Sequence, residues 1–158
     1  MATVEKIPLT RNGYDTLKKE LERLKRVERP ENIKAIEEAR AHGDLSENAE
    51  FAAAKDRQGF LEGRIGELEY KLANADIIDL SRLSKERAVF GSRVVLENIN
   101  TGEDVEYQLV GPDESNIAQG RISISSPLGK AIMGKKPGDE LTLKVPGGTR
   151  SYELVEIL

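Results

Sequence analysis

The sequence predicts an α+β protein: an N-terminal antiparallel α-helical coiled-coil hairpin over residues 1–76, then an antiparallel β-sheet domain with one short helix over residues 77–158. Three observations lead there. Residues 51–75 carry apolar side chains at alternating spacings of three and four, the period of a helix packed along one narrow seam. A second segment of similar length and pattern precedes it, separated by a short Gly/Asp/Ser stretch. Beyond residues 76–92 the pattern changes to β-branched runs punctuated by Gly and Pro.

The first helix is expected to start at Thr10, an N-cap residue type. Tyr14, Leu17, Leu21 and Leu24 follow at spacings of 3, 4 and 3. Val27, Ile33 and Ile36 are expected to continue the seam with a change of phase near Pro30, which lacks a backbone donor and interrupts the helix. The pattern ends at His42-Gly43, where Gly suits a C′ position. The second leg gives the strongest signal: Phe51, Ala54, Gln58, Leu61, Ile65, Leu68, Leu72 and Ala75 recur at 3, 4, 3, 4, 3, 4, 3. Gln58 on that seam reads as a register-setting polar residue. The apparent legs, 14–42 and 47–75, are 29 residues each, and equal legs on a short loop argue for an antiparallel hairpin. Each leg would reach ~43 Å at 1.5 Å per residue. The hairpin is thus a rod that projects its loop.

In the second half, 93–97 and 104–110 read as strands around the Asn100-Thr101-Gly102 turn. Strand 121–125 follows the Gly111-Pro112-Asp113 turn. Ser126-Pro127 resembles an N-cap with Pro at the first helical position, and Gly134 ends that helix. Strands over 141–145 and 152–157 flank Pro146-Gly147-Gly148.

Composition narrows the function. Charged residues make up 33% of the chain and aromatics 4%, a balance suited to a long exposed helical section rather than one large core. Net charge is −4, which excludes a nucleic-acid binder that relies on total positive charge. The absence of cysteine excludes disulfides, zinc-thiolate sites, iron–sulfur clusters and thiol catalysis. His42 is the only histidine. No apolar run approaches the ~20 residues of a membrane span. The N-terminus lacks a signal-peptide core, so a soluble protein of a reducing, cytoplasmic compartment is expected.

Chemistry concentrates at the loop, about residues 43–48. Asp44 and Glu47 are three residues apart, a spacing that puts both on one side. Two such carboxylates either offer oxygen ligands to a hard cation such as Mg²⁺, without forming a complete cage, or cap the second helix in a capping-box pattern. Arg40 and Lys55 flank the loop, either to hold a phosphate backbone or as solvated charges. His42 is expected to interact with the terminal carbonyls of its helix. The basic run Lys18, Lys19, Arg23, Lys25, Arg26 and Arg29, interleaved with Glu, reads as a solvated face. Lys130, Lys135 and Lys136 read as surface charges, and residues 77–158 contain no nucleophile-and-base arrangement or phosphate loop.

The run from Glu38 through Gly43-Asp44-Leu45-Ser46-Glu47-Asn48-Ala49-Glu50 to Phe51 resembles the tip of the bacterial transcript cleavage factors, the Gre family. Leu9-Thr10, Gly13-Tyr14 with the Leu17–Leu24 seam, Arg29-Pro30-Glu31, Ser125 through Ala131, Gly134-Lys135 and Pro146-Gly147-Gly148 extend the resemblance over nearly the whole chain. It implies an FKBP-like second domain that docks on RNA polymerase, and a coiled coil that enters the polymerase secondary channel. It also implies that Asp44 and Glu47 help hold an Mg²⁺ shared with the polymerase, with no cofactor expected in the isolated protein. The protein would then not be an enzyme itself. It would stimulate the polymerase to cleave backtracked RNA, with Arg40 and Lys55 touching the nascent RNA 3′ end. The tip is less basic than in one branch of the family, which implies a preference for short backtracked RNA. The sparse aromatics Phe90, Tyr107 and Tyr152 argue against prolyl-isomerase activity. A free monomer with no membrane association is expected. The alternative is a channel-occupying regulator without cleavage activity, which the intact acidic pair disfavours.

Overall fold

A computed structural model of the chain describes residues 5–43 and 48–158. It forms two compact units. One comprises Tyr14–Ala75 with the chain up to Ile7; the other comprises Asp76–Leu158 with Pro8–Gly13. Together they give an α+β protein with a helical first part and a mostly antiparallel sheet in the second.

Strand β1 (Ile7–Leu9) leads into helix α1 (Arg11–Arg23). Thr10 is the N-cap: its Oγ1 accepts from the Gly13 backbone N–H at 3.0 Å. Thr10 is buried, and both its backbone N–H and its hydroxyl donate to the Glu114 carboxylate. A Cβ at Gly13 would fall 2.2 Å from that carboxyl carbon, so a larger residue there would push the Glu114 side chain off Thr10.

The interruption expected near Pro30 takes a specific form. Leu24–Glu28 is a π turn, and α2 (Arg29–Arg40) follows with Pro30 in its first turn. The Arg29 N–H bonds to the Leu24 carbonyl, five residues back. Pro30 has no N–H to give the carbonyl four residues before it, and its ring crowds that carbonyl. The wider turn relieves the crowding and absorbs one extra residue.

That residue resets the seam. Leu17 and Leu24 are buried, and the next buried positions are Asn32, Ile36 and Ala39. The step from Leu24 to Asn32 is a heptad plus one. Val27 and Ile33, expected on the seam, are instead about half exposed, at 45% and 47%. Asn32 is 2% exposed, and its Oδ1 has no hydrogen-bond partner among the described residues.

Helix α3 (Ala49–Ala73) contributes buried Ala54, Leu61, Ile65 and Leu68 at the expected spacing. Gln58 is only half-buried and accepts a hydrogen bond from Lys55 at 3.0 Å, so the buried polar seam position is Asn32 rather than Gln58. Charges stitch the flanks. Arg29 holds Glu62 with two bonds of 2.8 and 2.9 Å, and Arg64 holds Glu20 with two of 2.9 Å. Lys25 pairs with Glu69 at 3.1 Å. Two of the basic residues read as a solvated face thus bridge the legs. The hydrogen bond from Lys71, seconded by Arg64, holds the Glu67 carboxyl below its ordinary range.

After β2 (Ala75–Ile77), which pairs with β1, the second unit forms a five-stranded sheet. Its strands are β3 (Arg93–Asn98), β4 (Asp104–Val110), β5 (Arg121–Ser123), β6 (Glu140–Val145) and β7 (Gly148–Ile157), in the order β5-β4-β3-β7-β6. The β4–β5 pair is parallel, unlike the fully antiparallel sheet expected. The β3–β4 turn is closed by Gly102, at φ +75, whose N–H bonds the Asn98 carbonyl at 2.7 Å. Strand β7 begins at Gly148, because Val145 pairs directly with Gly148.

The core is Ala88, Val94, Leu96, Leu109, Ile122, Ile132, Leu141, Leu154 and Ile157. Leu154 and Ile157 are three apart yet both buried. A bulge explains this: Val95 faces Glu156 while Leu96 faces Leu154, which leaves Val155 unmatched and 41% exposed. Helix α4 (Pro127–Ile132) closes the core. Ser126 accepts from the Gly129 N–H at 3.1 Å and donates to the Ser123 carbonyl at 2.6 Å. A Cβ on Gly129 would sit 1.9 Å from that same carbonyl oxygen, so only glycine lets the helix approach β5 this closely.

Candidate functional site at the hairpin tip

Helix α2 ends at Arg40, with Ala41 as its C-cap. The His42 N–H bonds the Ala39 carbonyl at 3.2 Å, and Gly43 adopts φ +116. On the other leg, α3 begins at Ala49 with Asn48 as its N-cap. Asn48 Oδ1 accepts from the Phe51 N–H at 3.0 Å, and its Nδ2 donates to the Ala39 carbonyl at 2.6 Å. The backbone carbonyl of Asn48 accepts from Ala52 at 3.1 Å, opening the helical ladder. Asp44 and Glu47 lie outside the described residues.

The cap therefore falls one residue after Glu47 and four after Asp44. Asn48 serves the Phe51 N–H with its side chain and the Ala52 N–H with its carbonyl, and the sequence signal for this was present, since Asn ranks with Asp and Ser as a capping residue. Sequence reasoning passed over it because the acidic pair offered a second, equally well-formed capping pattern.

Two further contacts join the legs at this level. The Arg40 guanidinium lies over the Phe51 ring, 5.9 Å from its centroid. His42 Nδ1 is 3.2 Å from Glu50 Oε2, with both side chains largely exposed. The histidine side chain thus reaches across to the other leg rather than to the carbonyls of its own helix. Arg40 and Lys55 both stand exposed, one on each leg. Arg40 is oriented by the Phe51 ring and Lys55 by Gln58.

The architecture is a helical hairpin whose two ends are tied by one asparagine directly beside an acidic pair, on a chain that continues into a capped, glycine-packed α+β unit. Two family models match it. Residues 7–77 match the N-terminal domain of transcription elongation factors, and residues 83–158 match the C-terminal domain of GreA/GreB transcription elongation factors. This chain belongs to the GreA/GreB transcription elongation factor family. Among its relatives, the transcription elongation factor GreA of Syntrophus aciditrophicus (strain SB) is 56% identical over 154 residues, covering 98% of this chain and 96% of that protein. The GreA of Thermodesulfovibrio yellowstonii is 52% identical over 153 residues, covering 97% of each. A solved structure of the GreA factor homolog 1 of Thermus thermophilus is 36% identical, covers 98% of this chain and 99% of that one, and superposes with a TM-score of 0.44. Among the described residues of this GreA/GreB family member, no helix is long and apolar enough to cross a membrane.

Proposed function

We propose that this protein is a cofactor of bacterial RNA polymerase that places its helical hairpin in the polymerase secondary channel and stimulates cleavage of backtracked nascent RNA. It acts as a monomer in the cytoplasm and is not an enzyme by itself. The observation that supports this most is the occupant of the α3 N-cap. Asn48 holds that position, which supports reading Asp44 and Glu47 as oxygen donors for a cation rather than as the N-cap of the helix.

Asp44 and Glu47 would hold an Mg²⁺ jointly with carboxylates of the polymerase, because two side chains leave most of an octahedral shell to others. Bound there, the cation supplies activation of a water and neutralisation of phosphate charge. The chain's own part is delivery and positioning. Helix α3 has 25 residues, about 37 Å at 1.5 Å per residue, enough to carry a small tip into a channel too narrow for a globular domain. Arg40 and Lys55, exposed on opposite legs beside the tip, would meet phosphates of the displaced RNA 3′ end. The second unit would dock on the polymerase.

The test uses a backtracked elongation complex with 3′-extended RNA and Mg²⁺, followed on a gel with wild type, with Asp44→Ala/Glu47→Ala, and without factor. Rapid shortening by wild type, lost in the double variant while polymerase binding persists, is the expected result. Binding without any acceleration by wild type would overturn the reading in favour of a channel-occupying regulator.

A further inference from the structure

We propose that Phe51 is a positioning residue for the RNA contact: its ring, carried on α3, backs the Arg40 guanidinium of α2 and leaves the edge donors of that group to a phosphate of single-stranded RNA. The inference rests on the RNA-contact part of the reading above. It adds a residue that acts through Arg40 and touches neither RNA nor metal itself.

Lower on the legs, partnered cations hold carboxylates. Arg29 holds Glu62, Arg64 holds Glu20, Lys25 pairs with Glu69 and Lys71 with Glu67. Beside the loop the partners become neutral. The Arg40 guanidinium lies over the Phe51 ring, 5.9 Å from its centroid, and the Lys55 ammonium donates to Gln58 Oε1 at 3.0 Å. Carboxylates stand close by in sequence. Glu37 is three residues before Arg40, a spacing at which helical side chains meet, and Glu50 adjoins Phe51 but pairs with His42. Among the described residues, no carboxylate pairs with Arg40.

The difference matters to an anion. An arginine already forked onto a carboxylate must release one anion to take another. A guanidinium backed by a ring is held through its face, within the ~6 Å reach of a cation–π contact, and its N–H donors lie in the plane, at the edge. Those donors match two phosphate oxygens, and the ring does not neutralise the positive charge. The contact also orders a long exposed side chain before RNA arrives, which lowers the ordering cost of binding. Phe51 is itself fixed: it is half-buried in the first turn of α3, and its N–H donates to the Asn48 side chain at 3.0 Å. An aliphatic side chain would also fill a half-buried seam position, so packing and ring are separable.

Phe51→Leu and Phe51→Met keep an apolar side chain without a ring, and Phe51→Tyr keeps the ring. Methionine, unbranched and adaptable, decides the matter should leucine disturb the seam. Each is made alone and together with Arg40→Ala. The probe is a backtracked elongation complex whose displaced RNA 3′ end carries 4-thiouridine, at saturating factor. Photocrosslinking of RNA to the factor reads the contact, competition reads polymerase binding, and far-UV circular dichroism reads folding. The expected result is near-wild-type helicity and polymerase binding throughout. Crosslink yield falls about 2- to 5-fold without the ring, persists with tyrosine, and falls no further when the ring is removed from Arg40→Ala. Wild-type yield in either folded ringless variant would overturn the proposal. So would a loss that tyrosine shares, a loss undiminished on the Arg40→Ala background, or wild-type yield in Arg40→Ala itself. The cleavage-cofactor reading fails separately, when wild type binds and crosslinks yet does not accelerate RNA shortening.

Discussion

Replacing Asn32 by Leu should make the hairpin more stable. Asn32 is 2% exposed on an otherwise apolar seam, and its Oδ1 is unpaired among the described residues. A buried, unsatisfied polar atom costs about 1–3 kcal/mol relative to a matched apolar group. A buried leucine adds up to about 1.5–3 kcal/mol of apolar transfer. Leucine branches at the same carbon and is slightly larger, so imperfect fit returns about 1–3 kcal/mol. The net expectation is a gain of about 1–3 kcal/mol. For a unit of this size, 1 kcal/mol corresponds to roughly 4–8 °C in melting temperature. Thermal unfolding of the full chain by far-UV circular dichroism reads this directly, since the helical signal comes almost entirely from the hairpin. Asn32→Asp is the opposing control: an unpaired buried charge should lower the same transition. Leucine should also relax specificity, because an uninterrupted apolar seam accepts more partners and registers, and sedimentation would show added self-association. An Asn32→Leu hairpin that melts at or below the wild-type temperature would refute the reasoning, and would mean that Asn32 is satisfied in solution.

Gly129→Ala should disrupt the second unit and leave the hairpin intact. The new methyl would stand 1.9 Å from the Ser123 carbonyl oxygen, so α4 must lift from β5, and two-transition unfolding with only the sheet unit destabilised is the expected signature. Acid should weaken the hairpin in a defined way. The folded Glu67 carboxyl titrates below its unfolded value because of Lys71 and Arg64. Its contribution is complete above the unfolded pKa near 4.5 and is lost as pH falls through the lower folded value. Glu67→Gln should lower the neutral-pH melt by that small contribution, flatten the corresponding part of the acid limb in a melting-temperature profile, and converge with wild type at the acid end.

The sequence makes the second leg readable because one unbroken 3–4 repeat fixes its face, and every buried residue of α3 lies on it. The first leg is readable only to the π turn. An inserted residue leaves two candidates for the next seam position. Hydrophobicity favours Ile33, while backbone geometry puts Asn32 inside. The same limit applies at the tip, where Asp44 and Asn48 each begin an acceptable cap and periodicity cannot choose between them. In the sheet, strand positions follow from alternation, but the direction of β5 does not, since three residues carry no signal about which neighbour they join. The bulge at Val155 hides because it mimics a broken alternation. Thr10 and Ser126 were legible as caps because each is a hydroxyl at the border of a new pattern, three residues before a glycine N–H that it serves.

The π turn at Leu24–Glu28 bears on how the hairpin tolerates changes in length. A helix that stores one surplus residue as a local widening confines the phase change to a single turn, so the faces beyond it remain committed to their neighbours. Deleting that residue would press Pro30 back against the carbonyl four residues before it and swing everything from Asn32 onward by about 100° around the axis. Ile36 and Ala39 would turn outward, and the Ala39 carbonyl would leave the reach of Asn48. The facing of the last turn of α2 is therefore set about three helical turns before Ala39. Among relatives, insertions and deletions in the first leg should occur in compensated pairs or at this turn itself.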